Sequence, residues 1–198
     1  MKINNLFIIF VSFLLVAILI SVSFLYMNNL NDTSSISKQS LLEIQQKELA
    51  ELSRTSSGTI YVNNSSTLLV EQSPAMGSMN SSPQEYFVID GMVNPTIVMK
   101  QGISIKFIIV NMDDMEHNFA ITRFPPPYPY MIMGGNMMNN GVSFTFDTPY
   151  LQPYNGGSRY PSLTFTYVAG NTGEFWYLCT YPGHAQEGMY GKIIISTI

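Results

Sequence analysis

Ionisable residues are scarce in this sequence. Only 11% of the 198 residues are charged, against about 25% in typical soluble domains. The nine Lys and Arg form no cluster. The concentrated cationic surface that phosphate backbones need is therefore missing, which argues against a nucleic-acid partner. Cysteine occurs once and histidine twice. One cysteine excludes an internal disulfide, and it excludes four-cysteine zinc or iron–sulfur sites within one chain.

Polarity is carried instead by Asn, Ser, Thr, Gln and Tyr, and the formal net charge is −4. A surface of this kind gains and loses few protons, so its stability is expected to vary little with pH. An acidic exterior, glycan cover and plain compositional drift all fit that pattern. The length allows one globular domain with a sizeable core, and the hydrophobic content is 46%.

Uncharged residues dominate the amino-terminal end. Residues 6–27, LFIIFVSFLLVAILISVSFLYM, lie in a stretch without charge between Lys2 and Asp32. About 20 apolar residues suffice for a membrane-spanning helix, whereas the apolar core of a cleaved signal is usually about 7–15 residues. The run is long and SFLYMNNL is a poor cleavage site. An uncleaved signal anchor over 6–27 is expected, with residues 1–5 cytoplasmic and the remainder extracytoplasmic by the positive-inside rule. Asn31, Asn63, Asn64 and Asn80 each open an N-x-S/T triplet, which suits an outward-facing chain.

Residues 28–35 read as a spacer and 36–198 as one extracytoplasmic domain. In SKQSLLEIQQKELAELSR, the spacing of Leu41, Leu42, Ile44, Leu49 and Leu52 predicts an amphipathic helix, capped by Ser37 or Ser40. Strand patterns follow. TIYV and TLLVE flank NNSS and predict a hairpin. EYFVI, TIVMK, ISIKFIIVN, NFAIT, VSFTF, SLTFTYV, EFWYL and GKIIIST come next, separated by Gly, Pro and Asn. Many short strands without intervening helices predict an all-β sandwich or barrel. Residues 123–161 are rich in Pro, Met, Tyr and Gly, and predict long ordered loops around one strand.

The stretch CTYPGHAQEGM, residues 179–189, holds the only cysteine and one of the two histidines. If Cys179 ends the strand EFWYLC, turns at Pro182–Gly183 and at Gly188 can aim Cys179, His184 and Met189 at one point. His117, the remaining histidine, opens HNFAI. A Cys and two His in a plane with a weak axial Met form the blue-copper electron-transfer arrangement. The soft thiolate binds both copper oxidation states, and the thioether adds little field to Cu(II). A zinc site would prefer more Cys or His. A catalytic Cys–His pair would need an orienting acid and an oxyanion hole, which nothing nearby supplies. Two histidines are also too few for a trinuclear cluster or a second copper site. One mononuclear centre remains, without a small-molecule substrate site.

HNFAITRFPPPYPYM and CTYPGHAQEGMYGKIII together resemble the rusticyanin family, blue copper proteins of acidophilic iron oxidisers. The resemblance extends to NPTIVMKQGISIKFIIVN, to LLEIQQKELAELS and to SGTIYVNNSSTLLVEQ, and so covers roughly 36–198. Sulfocyanins, membrane-anchored archaeal relatives, share the anchor and the C-x4-H-x4-M spacing. The resemblance implies a cupredoxin Greek-key sandwich and one copper held by His117, Cys179, His184 and Met189. It implies a high potential, work at low pH and protein redox partners such as a cytochrome or a terminal oxidase. It also carries to Asn118 the role of tying the two ligand segments together, with Thr180, Pro182 and Gly183 beside the ligands. Phe124, Pro126, Tyr128, Met131 and Met133 are expected to cover the site or to dock a partner. A copper chaperone or store without redox work is the competing class, to which the 13 methionines point.

Overall fold

The computed structural model describes residues 32–51, 53–55, 58–73, 85–132 and 143–197. The expected span over 6–27, with Asn31, Asn80 and Met133, lies outside the described residues. Among the described residues no helix is long and apolar enough to cross a membrane.

The elements run β1 (Asp32–Ser37), α1 (Lys38–Glu51), β2 (Ser53–Thr55), β3 (Thr59–Val62), β4 (Ser66–Gln72), β5 (Phe87–Ile89), β6 (Met92–Val93) and β7 (Thr96–Lys100). They continue with β8 (Ser104–Asn111), β9 (Ala120–Thr122), β10 (Phe144–Asp147), β11 (Arg159–Val168), β12 (Gly173–Leu178) and β13 (Tyr190–Ser196). One sheet has the order β1-β11-β8-β4-β5-β6 and the other β10-β9-β12-β13-β7-β3-β2. Among the described residues, two sheets and one helix form the expected mostly-β sandwich.

Helix α1 starts where the Ser37 hydroxyl accepts the N–H of Ser40 at 3.1 Å, an N-cap bond. Leu41 and Ile44 pack against Leu69, Ile108 and Val110. Leu42, one residue on, is 57% exposed, so the buried stripe is narrower than the leucine content suggests. The Glu48 carboxylate accepts the Leu69 N–H at 2.8 Å and ties the helix to β4. The side chains of Leu49 and Leu52 lie outside the described residues.

Two readings of the sequence need correction. TIYV and the strand after NNSS do not form a hairpin. β3 pairs in parallel with β7, whereas β4 pairs in parallel with β8 in the other sheet. The exposed NNSS link crosses between sheets, just as the Gln101–Gly102 turn does between β7 and β8. Alternating side chains report that a strand exists, not which strand it pairs with. The segment 28–35 is not spacer throughout either. β1 begins at Asp32 and neighbours β11, and the Ser34 and Ser162 hydroxyls are 3.3 Å apart. A polar edge strand of Asp, Thr and Ser has no apolar alternation by which to recognise it.

Between the sheets lies a core in which rings pack at specific angles. Phe119 stacks on Tyr177 with centroids 5.5 Å apart, and Phe87 meets Phe119 edge-on at 5.6 Å. Such pairs add about 0.5–1.5 kcal/mol each beyond area burial. The buried Tyr177 hydroxyl donates to the Pro95 carbonyl at 2.7 Å. Opposite it, a Cβ at Gly191 would strike the Tyr177 hydroxyl, so only glycine fits there. β12 is thereby held rigidly just before Cys179.

Candidate metal centre

Cys179 follows directly on β12, and β13 starts one residue after Met189. The loop between them is laced by its own backbone. The Cys179 N–H donates to the Met189 carbonyl at 3.2 Å, the Met189 N–H to the His184 carbonyl at 2.8 Å, and the His184 N–H to the Tyr181 carbonyl at 3.1 Å. Gly183 has φ +90, a left-handed conformation that glycine adopts without steric cost. A Cβ there would also lie 3.1 Å from the Tyr130 ring. The turn expected at Pro182–Gly183 thus has a positive-φ glycine at its centre.

His117 does not open a strand; β9 begins only at Ala120. An isolated bridge to Leu151 holds it instead, with the Leu151 N–H donating to the His117 carbonyl at 2.7 Å. Asn118 joins this segment to the ligand loop. Its Oδ1 accepts the Thr180 N–H at 2.7 Å, and its Nδ2 donates to Asp147 Oδ1 at 2.9 Å. Gln72, fully buried, donates from Nε2 to the Asn118 carbonyl at 3.0 Å.

Three donor atoms converge. His117 Nδ1 and His184 Nδ1 are 3.2 Å apart, and Cys179 Sγ lies 3.8 Å from the first and 3.6 Å from the second. A point equidistant from all three is about 2 Å from each, the length of a metal–imidazole bond. With both lone pairs turned inward, the two imidazoles would repel each other unless a cation lay between them. The donor set therefore fits a metal ion, and one thiolate with two imidazoles fits copper. Met189 is fully buried in the same core cluster as Cys179.

Burial pushes the Cys179 thiol up to about 12. Burial, with the neighbouring His117 charge adding to it, brings His184 down to about 4. Burial also lowers His117, against the opposing pull of Asp113. Metal-free, the pocket holds a thiol and two neutral imidazoles, and loading a metal must displace the thiol proton.

Of the residues expected to cover the site or dock a partner, Tyr128 and Phe124 fall in one small apolar cluster. Tyr128 and Ile132 are buried against Leu178 and Ala185, with Phe124, Trp176 and Tyr190 at the margin. The Gly183 N–H donates to the Tyr130 carbonyl at 2.7 Å. Pro126 is half-buried and Met131 is 48% exposed.

Several contributors were not legible in the sequence. Tyr150 bonds the Thr180 hydroxyl at 2.9 Å and meets Tyr181 edge-on. Tyr181 in turn lies 4.6 Å from the His184 ring. Asp113 Oδ2 lies 2.9 Å from His117 Nε2, and Glu85 Oε2 lies 3.6 Å from it. The i, i+4 step from Asp113 to His117 is visible in DDMEH, but it carries weight only when the segment is a helix, and here it is a loop.

Comparison with known proteins supports the same centre. Residues 92–196 match the family described as copper binding proteins, plastocyanin/azurin family. Rusticyanin of Acidithiobacillus ferridurans is 32% identical over 114 residues, covering 57% of this chain and 56% of that protein. A rusticyanin of Acidithiobacillus ferrooxidans is 31% identical over 57% of this chain and 68% of its own length. The matched region thus spans little more than half of the first of these relatives. Among solved structures, reduced rusticyanin superposes with a TM-score of 0.63 at 22% identity, over 82% of this chain and 99% of that one. Rusticyanin from Thiobacillus ferrooxidans gives 0.63 at 25% identity, over 83% and 99%.

Proposed function

The chain belongs to the plastocyanin/azurin family of copper-binding proteins, as a rusticyanin-like blue copper protein with one copper, and from that premise we propose that it carries single electrons. His117, Cys179 and His184 would hold the metal, and Met189 would add a thioether. When bound, copper supplies the one-electron Cu(I)/Cu(II) couple. The protein's part is to prevent the site from rearranging. Asn118 locks the His117 segment to Thr180, and the backbone bonds of the ligand loop leave its donors little freedom. A site that moves little on changing charge has a small reorganisation cost. The Tyr128 and Ile132 cover keeps water out, which favours the reduced form, the one with less charge. This chain therefore has a high reduction potential.

Exchange is outer-sphere through the face where Tyr130, Met131 and Tyr150 are 60%, 48% and 41% exposed. Residues 124–132 and 148–158 carry no charged side chain, so docking on this face is apolar and weakly dependent on salt. The amino-terminal apolar run over 6–27 anchors the chain, with residues 36–198 on the extracytoplasmic side of the cell membrane. The partners are then protein redox partners, a cytochrome or a terminal oxidase, of an acidophile's respiratory chain. The observation that carries the reading is the buried triangle of one thiol and two Nδ1 atoms.

Rapid mixing of the Cu(II)-loaded full-length chain with a reduced cytochrome c tests it. A carrier bleaches in step with cytochrome oxidation and retains its copper through repeated cycles. A chaperone or store surrenders copper to a competing chelator on reduction and oxidises no cytochrome.

A further inference from the structure

The two histidines of the centre are built differently on their outer sides. His184 is 4% exposed and packs its ring near Tyr181, and no carboxylate bonds its ring among the described residues. His117 is fully buried and has Asp113 Oδ2 at 2.9 Å from Nε2. That carboxylate is held in place by the loop itself. The Asp113 N–H donates to Asn111 Oδ1 at 3.0 Å, and the Tyr154 N–H donates to the Asp113 carbonyl at 2.7 Å. Asn111 is anchored in turn, its Nδ2 donating to the Met115 and Gln152 carbonyls. A second carboxylate, Glu85, stands 3.6 Å from the same nitrogen and is steadied by the Ser73 hydroxyl at 2.5 Å.

An imidazole that donates from Nε2 to a carboxylate keeps its proton there. Its lone pair is then on Nδ1, the atom that faces Cys179 and His184. A carboxylate behind a ligand also makes that ligand more basic. Negative charge transmitted through the ring stabilises Cu(II) more than Cu(I), because the oxidised ion carries the larger charge. We infer that Asp113 is the positioning residue of the centre: it fixes His117 with Nδ1 toward the copper and holds the reduction potential below the value the buried pocket alone would set. Glu85 adds a weaker push in the same direction, since it is farther from the nitrogen. The inference rests on the copper electron-carrier reading and names the residue that tunes it.

The test uses the copper-loaded full-length chain and three variants, Asp113→Asn, Asp113→Glu and Glu85→Gln. Asp113→Asn keeps the shape, the fold and the blue colour but removes the charge. Its ratio of Cu(II) to Cu(I) affinity is expected to fall about tenfold, which raises the midpoint potential by about 59 mV. Glu85→Gln shifts it upward by less, and Asp113→Glu returns it toward the parent. In the metal-free chain, the nitrogen NMR shifts of His117 report a proton on Nε2, and in Asp113→Asn they report a mixture of tautomers. A blue Asp113→Asn protein with the parent potential and the parent tautomer overturns the inference while leaving the carrier reading intact. If Asp113→Asn takes up no copper, Asp113→Glu decides: recovery of the blue centre supports the carboxylate's role, and failure of both overturns it. A parent chain that is neither blue nor reversibly reducible overturns the carrier reading itself.

Discussion

The centre has two arms of opposite construction. The loop 179–189 is contiguous, brings three donors within eleven residues and is knitted by its own backbone hydrogen bonds. The His117 arm brings one donor, and elements far apart in the chain hold it: Leu151, Gln72, Asn118 reaching Thr180, and Asp113 with Glu85. Aromatic rings cover the first arm, and a polar network backs the second. A short loop can be shaped by glycine and proline alone, whereas a single remote ligand must be oriented by partners from the rest of the fold. Rigidity is thus local in one arm and tertiary in the other.

Substitutions separate the two. Cys179→Ser removes the thiolate of the contiguous arm, and the blue absorption is expected to vanish completely in the visible spectrum of the copper-loaded chain. Asn118→Ala cuts the bond between the arms. It leaves the buried Thr180 N–H without a partner, a loss of about 1–3 kcal/mol. A lower denaturation midpoint at unchanged slope would show it. If stability were unchanged, the arms would be held together by something other than Asn118. Met189→Leu alters only the contiguous arm. Colour is expected to persist while the potential rises, because Cu(II) loses its weak axial donor; voltammetry reads the shift.

The smallest effect lies outside both arms and sharpens the contrast with the rest of the fold. Burial raises the Glu71 carboxyl, partly offset by its bond from Gln45. Its contribution to stability is fully present below the ordinary value of 4.5 and is lost as pH rises through the raised value in the folded chain. Glu85 and Asp147 are also raised, chiefly by burial. At Asp113 burial works upward, but the His117 and Asp114 bonds prevail and hold it below 3.8, so its contribution is lost on acidification through that lower value. The two histidines of the metal-free pocket act the other way: their folded values are lowered, so the unfolded chain takes up protons first and stability is lost as pH falls from neutral. The raised carboxyls offset part of that loss. Glu71→Gln removes its share of the offset: it should slightly raise the melting temperature at pH 7 and lose that advantage on acidification. An advantage over the parent that is the same at both ends of the range would contradict the raised Glu71 carboxyl.

Sequence and structure agree best where the information is local. CTYPGHAQEGM shows its ligands because their spacing is set by turns within the loop. Strands such as TIVMK and GKIIIST are legible because alternating burial leaves a period of two. The parallel pairing of β3 with β7 and of β4 with β8 is not legible, since neighbours along the chain do not become neighbours in the sheet. Asp113 and Tyr150 are hidden for the same reason: each acquires its role from a residue brought near only by the fold. Asn118 is legible only through resemblance, and its bond to Thr180 supplies the physical reason for its position.

Titration of the metal-free full-length chain with Cu(II), followed by visible absorption, tests the central claim most directly. Thiolate-to-copper charge transfer from Cys179 should produce an intense blue band that saturates at one copper per chain. A colourless chain, or one that holds zinc more tightly than copper, would contradict the account.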